Sequence, residues 1–173
     1  GLMRTNIPSF RLPADVLDEE IYRIINMGAE LKLNSYIEKL KPVIDEYDSV
    51  FIGTGAPKGK DLKLKGREIS SENIHIGIDW LTSIAFEHVK KIGKKVIVIG
   101  GGNTAMDCCR SALRLGATDV KVTVRSPFSQ MKASEWEIEE TMEEGIPILD
   151  NTSPKDFLFD DKGQLCGMKF EKM

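Results

Sequence analysis

Val96-Ile97-Val98-Ile99-Gly100-Gly101-Gly102-Asn103-Thr104-Ala105, followed through to Arg125, predicts a strand, a glycine turn, a helix and a second strand. The run at 96–99 is apolar, β-branched and short, as expected of a strand buried on both faces. The next six residues fit G-x-G-x-x-G/A, with glycine at 100 and 102 and alanine at 105. Ala105, Cys109, Ala112 and Leu113 then recur at helical spacing, and Gly116 stands where a helix stops. In such a unit the first glycine permits a tight turn and the second lets the backbone approach a pyrophosphate. The small sixth residue keeps helix and strand close, and the helix N-terminus offers unpaired N–H groups and partial positive charge.

The second strand carries the discriminating position. Val120 to Val124 alternates as Val-Lys-Val-Thr-Val, and the place about 20 residues past the glycines, where an NAD site would put an acid for the ribose, falls near Val124 and Arg125. No carboxylate stands there. Arg125 could instead meet a 2′-phosphate, which favours NADP(H).

Composition bounds the rest. The chain has 173 residues, 41% hydrophobic and 29% charged, room for one ordinary domain or two small ones of a soluble globular type. A formal charge of −3 gives no electrostatic case for nucleic acid or an anionic membrane. No apolar run approaches the roughly 20 residues of a membrane span, and Gly1-Leu2-Met3-Arg4 lacks a signal-peptide layout. Three cysteines without metal spacing indicate a reducing, cytoplasmic compartment. Cys108 and Cys109 are neighbours on the predicted helix, about 100° apart, unlike a C-x-x-C dithiol. His75 and His88 have no metal-spaced partner, so neither a metal ligand nor a nucleophile is assigned.

In chain order, Gly1 to Pro13 reads as irregular. Val16, Leu17, Ile21, Ile24 and Ile25 then share one helical face, with acids at its start and Gly28 at its end. Glu30 to Leu33 and Ser49 to Ile52 read as strands, the second ending in the turn Gly53-Thr54-Gly55. Lys58 to Asn73 is a polar loop and the best domain boundary, its lysines solvated. Asp79 to Ile92 predicts a helix with Trp80, Leu81 and Ile84 inward, closed by Gly93. Ser134-Glu135-Trp136-Glu137 predicts a capping box opening a helix with six glutamates in ten residues, read as a solvated face. Ile146 to Leu149 predicts a short strand, and Phe157 to Phe170 a β-hairpin turning at Asp160 to Gly163.

These motifs add up to a resemblance. GLMRTNIPSFRLPADVLDEEI is similar to the segment after the FAD phosphate loop in the small (beta) subunit family of glutamate synthase, NADPH-dependent flavoproteins related to the reductase half of dihydropyrimidine dehydrogenase. YDSVFIGTGAPKG resembles its second flavin-domain strand and turn, VIVIGGGNTAMDCCRSALRLGA its NADPH fingerprint, and MKASEWEIEETMEEGI the loop and helix beyond. The resemblance implies an α/β, Rossmann-like three-layer sandwich, and a fragment of a flavoprotein with two dinucleotide-binding domains. Residues 1–73 would be partial FAD domain and crossing linker. Residues 74–173 would be a C-terminally incomplete NADPH domain. It implies hydride transfer from NADPH to FAD, with electrons passing to an iron–sulfur domain or subunit and a terminal reductase or synthase subunit.

By the same resemblance Gly100, Gly101, Gly102, Asn103, Thr104 and Ala105 would hold pyrophosphate and ribose, Arg125 the 2′-phosphate, and Gly53, Thr54 and Gly55 would lie against the flavin. Where the family usually carries two consecutive arginines, this chain has Arg125 followed by Ser126, which donates one hydrogen bond and no charge. Lys132 stands where Met-Pro-Ala is usual, and its ammonium could partly substitute. No acid or base is named, because hydride transfer needs positioning more than a proton donor. The FAD phosphate loop would lie upstream of Gly1 and the final strands beyond Met173, so the isolated chain is expected to bind NADP(H) weakly, to catalyse nothing, and to expose a sheet edge that favours a homodimer. The alternatives are a non-catalytic structural or electron-routing module, or a Rossmann methyltransferase, which would want an acid where Arg125 stands.

Overall fold

In the computed structural model, which describes residues 1–69 and 71–173, the glycine stretch builds the core. The helices are α1 (Leu2–Thr5), α2 (Ala14–Asn26), α3 (Leu40–Glu46), α4 (Gly77–Ala85), α5 (Asn103–Arg114) and α6 (Glu135–Glu143). The strands are β1 (Lys95–Ile99), β2 (Asp119–Thr123), β3 (Ile148–Leu149), β4 (Thr152–Phe159) and β5 (Leu165–Lys172). The first three form a parallel sheet in the order β1-β2-β3, and the last two an antiparallel hairpin.

Register explains the packing. Val96 pairs with Val120, Val98 with Val122, and Val122 with Ile148, so these side chains share one face of the sheet. That face meets α5, where Met106, Cys109 and Ala112 are fully buried. Burying a side chain the size of Val122 or Met106 contributes about 1.5–3 kcal/mol. Trp80 and Leu81 of α4 and Ile138 of α6 close the same core. The α/β Rossmann-like class is thus as the glycine stretch implies.

The hairpin also agrees with expectation. Asp160 Oδ1 accepts the backbone N–H groups of Lys162 (2.9 Å) and Gln164 (2.8 Å), and Gly163 turns the chain at φ +73.

Several expectations are corrected. Glu30–Leu33 and Ser49–Ile52 are not strands, because no strand among the described residues lies where it could pair with them. The β1 strand is only half-buried, and on one face, through Val96 and Val98, with Ile97 44% and Ile99 40% exposed on the other. On α2 only Leu17 is buried, whereas Val16, Ile21 and Ile24 stand in solvent. The first residues are not wholly irregular, since α1 forms there.

Helix α4 ends at Ala85 rather than near Gly93. Glu87 takes φ +57, its N–H donates to the Ile84 carbonyl (2.9 Å) and that of His88 to Ser83 (2.8 Å), a Schellman ending without glycine. The lysines of the 58–73 loop are exposed as expected, and Ser70 within that loop lies outside the described residues.

Candidate functional site: the glycine turn and its ionic brace

Each glycine of the turn has a different reason. Gly100 follows β1 at φ +144, a conformation side chains rarely adopt, and its N–H donates to the Thr123 carbonyl (3.0 Å). A Cβ on Gly101 would stand 2.7 Å from Cγ1 of the buried Val124, so packing alone demands glycine there. A Cβ on Gly102 would meet nothing within 4 Å. Space is therefore open in front of the residue that caps α5.

That space faces donors. The backbone N–H groups of Gly101, Gly102, Asn103 and Thr104 have no protein partner among the described residues. They cluster at the positive end of a 12-residue helix with no acidic residue in its first turn. Such an arrangement suits an anion.

The rest of the turn is fixed by the loop before α6. The Gly101 carbonyl accepts the N–H groups of Lys132 and Ala133, both at 2.9 Å, and Asn103 Oδ1 accepts the N–H of Ser134 (2.9 Å). Lys132 is thereby held on the same rim as the turn, its side chain exposed. Arg125 lies two residues past Thr123, which pairs with Ile99, so it leaves the sheet beside the turn. Its guanidinium is exposed and makes no ion pair among the described residues. Ser126 is half-buried and its carbonyl accepts the Asn151 N–H (3.3 Å). The structure thus gathers Gly100 to Ala105, Arg125, Ser126 and Lys132 at the C-terminal ends of β1 and β2.

Gly53, Thr54 and Gly55 stand elsewhere. All three are exposed, a Cβ on Gly55 would touch Leu2, and no hydrogen bond joins this turn to residues 100–105 among the described residues. A cavity of about 420 Å³ opens just beyond it, lined by Pro57, Lys58, Gly59, Asp61, Ile76 and Asp79.

Two readings of α6 are overturned here. Ser134 is the N-cap, but its hydroxyl makes no capping bond and is buried without a partner among the described residues. Glu137 does not complete a capping box, because it is fully buried in an ionic cluster. Its two oxygens meet Arg11 Nε and Arg110 Nη1 (3.1 Å to the latter). Arg11 Nη1 also donates to both oxygens of Asp107, at 2.7 and 2.9 Å. Arg110 further meets Glu140 (2.6 Å) and Glu144 (2.9 Å), and Arg114 clasps both oxygens of Glu144 (2.7 and 2.9 Å). The acidic helix is therefore only partly a solvated face.

Sequence reading missed this cluster, although its signal was present. Asp107, Arg110 and Arg114 repeat at i, i+3, i+7 on α5, and Glu137, Glu140 and Glu144 repeat at the same spacing along α6 to its C-cap. Burial pushes the Asp107 and Glu137 carboxyls up, with Arg11 pulling against it. The hydrogen bond from Arg114 holds Glu144 below the usual carboxylate range, against its burial.

Two of the three cysteines are packing residues. Cys108 and Cys109 are buried, and burial raises both thiols, Cys109 to about 12.

Fold and glycine turn together define a Rossmann-like α/β unit of the kind that can carry a dinucleotide site. Residues 14–171 match the profile of pyridine nucleotide-disulphide oxidoreductases, and the chain belongs to that family. It is 32% identical over 177 residues to the NADPH-Fe(3+) oxidoreductase subunit beta of Geobacter sulfurreducens, covering all of this chain and 26% of that protein. It is also 32% identical over 175 residues to the glutamate synthase (NADPH) small chain of Halomonas elongata, covering 94% of this chain and 37% of that one. The chain thus spans about a quarter to two fifths of the length of these relatives. Among solved structures, Mycobacterium tuberculosis FprA in complex with NADPH superposes with a TM-score of 0.68, at 15% identity, over 98% of this chain and 57% of that one. Thioredoxin reductase from T. acidophilum superposes with a TM-score of 0.53, at 20% identity, over 66% of this chain and 35% of that one. These likenesses show a shared fold. No helix among the described residues is long and apolar enough to cross a membrane.

Proposed function

We propose that the chain is the NADP(H)-binding part of a flavin-dependent oxidoreductase of the glutamate synthase small-subunit kind. The observation that carries this reading is the set of four unpartnered N–H groups at 101–104, facing open space at Gly102. Gly100 to Ala105 hold the pyrophosphate and adjoining ribose on the N-terminus of α5. Arg125, with Ser126 and Lys132 beside it, takes the 2′-phosphate. NADPH, when bound, supplies a hydride, and these residues bind and orient it. In the complete protein the acceptor is FAD, from which electrons pass to iron–sulfur centres and a terminal subunit. Residues 1–73 belong to the flavin side and crossing, with Gly53, Thr54 and Gly55 toward the flavin, and residues 74–173 to the nucleotide side. Three cysteines with no redox or metal spacing support a cytoplasmic setting.

Titration of the full-length protein with NADP⁺ and NAD⁺ tests the reading. The wild type should prefer NADP⁺, and Arg125→Ala should weaken NADP⁺ by about tenfold while leaving NAD⁺ within about twofold. Equal binding of both nucleotides by the wild type, or no perturbation of the amides of residues 100–105, overturns it.

A further inference from the structure

We infer that Arg11 is a positioning residue for the nucleotide site, setting the spacing between the first turns of α5 and α6 and so the place of Lys132 relative to the glycine turn. This rests on the nucleotide reading above and extends it to a residue far from the turn in sequence.

The loop before α6 is tied at two ends. At one end Lys132, Ala133 and Ser134 donate to Gly101 and Asn103. At the other, Glu137, three residues after Ser134, is joined through Arg11 to Asp107, one turn into α5. Residues 132–137 therefore form a closed brace over the start of α5, and Arg11 is the pin at its far end. Asp107 has no other hydrogen-bond partner among the described residues. The Arg11 side chain is held in turn by its neighbours. Phe10 lies under the guanidinium groups of Arg110 (5.0 Å) and Arg114 (3.9 Å), Arg11 lies over Trp136 (5.4 Å), and Asn6 donates to the Ile78 carbonyl of α4 (2.7 Å).

The residue type fits the task. One planar guanidinium donates to both Asp107 oxygens through Nη1 and sets its Nε in charge contact with Glu137 on the other helix, whereas an ammonium offers a single point charge. Buried ion clusters are weak sources of stability, since desolvation offsets attraction, but they enforce one geometry. The glycine turn takes its own shape from the backbone of Gly100 and the contact of Gly101 with Val124, so the pin bears on it only through the loop before α6. Lys132 stands on that loop, with its tie to Gly101 on one side and the pin at Glu137 on the other. Loosening the pin should therefore impair recognition of the phosphate that distinguishes NADP⁺ from NAD⁺ and spare the pyrophosphate contacts common to both.

The test measures dissociation constants for NADP⁺ and NAD⁺ on the full-length protein, its Arg11→Lys and Glu137→Gln variants, Lys132→Ala, and the Arg11→Lys/Lys132→Ala double variant. Arg11→Lys should lose about tenfold in NADP⁺ affinity with NAD⁺ within about twofold, and Glu137→Gln should move the same way by less. The double variant should lose no more than Lys132→Ala alone, because both changes remove one interaction. A parallel loss for both nucleotides, the mark of a merely destabilised fold, overturns the inference, as does an unchanged preference or an additive double variant. Should Arg11→Lys not fold, Glu137→Gln decides by the same criterion. A wild type that binds neither nucleotide overturns the nucleotide reading itself, a result distinct from any of these.

Discussion

At Gly101 the motif and the structure part company in an instructive way. The G-x-G-x-x-A pattern marks Gly100, Gly102 and Ala105 and leaves Gly101 unspecified, yet Gly101 is the glycine of the turn at which a Cβ would collide with the protein itself. Val124 is buried, and its short branched side chain has little freedom to move aside. Gly101→Ala should therefore destabilise the fold by about 1–3 kcal/mol, the range for overpacking a tight site. Gly102→Ala meets open space and should stay within about 0.5 kcal/mol of the wild type in stability while weakening nucleotide binding. Urea denaturation of both variants, read beside nucleotide titration, checks the contrast. Equal stability losses would remove the distinction between a glycine kept for packing and one kept for a ligand.

Among the elements, α6 shows why local signals are only partly legible. Ser-x-x-Glu at 134–137 has the spacing of a capping box, but Glu137 instead meets the guanidinium groups of the buried Arg110 and the half-buried Arg11. The cue that should have competed with it, matching charge spacing on α5, becomes meaningful only once the two helices are known to touch. Since the Ser134 hydroxyl caps nothing, Ser134→Ala should cost well under the roughly 1 kcal/mol usual for an N-cap serine. A thermal-denaturation loss of that full size would show a capping bond that forms in solution. Helix ends were legible where glycine marks them, as at Gly28, Gly116 and Gly145, and illegible at α4, where Glu87 takes the same left-handed conformation.

For the molecule as a whole, the parallel unit and the hairpin were readable because their partners lie close in sequence. The expected strands at 30–33 and 49–52 were not, since periodicity describes a face but supplies no neighbour to pair with. The charge cluster gives stability a pH dependence with opposing parts. Glu144, held low, contributes stability that is present above its unfolded value near 4.3 and lost as pH falls through its lower folded value. Asp107 and Glu137, raised by burial, run the other way, each contribution being full below the unfolded value and lost as pH rises through the folded one. Glu144→Gln should therefore be less stable than wild type at about pH 7, and the gap should close toward about pH 3 in denaturant titrations. A gap that stays constant over that range would mean that Glu144 and Arg114 do not pair in solution.

The two thiols on α5 lie on the inner side of the helix that follows the glycine turn, one against α4 and the other fully enclosed. Held protonated and out of reach, they are chemically silent for as long as the helix rests on its neighbours. Their alkylation rate is then a clock for how often that helix lifts away. If a nucleotide sits at one end of α5 as proposed, the same helix carries its own recorder of whether that ligand holds it down.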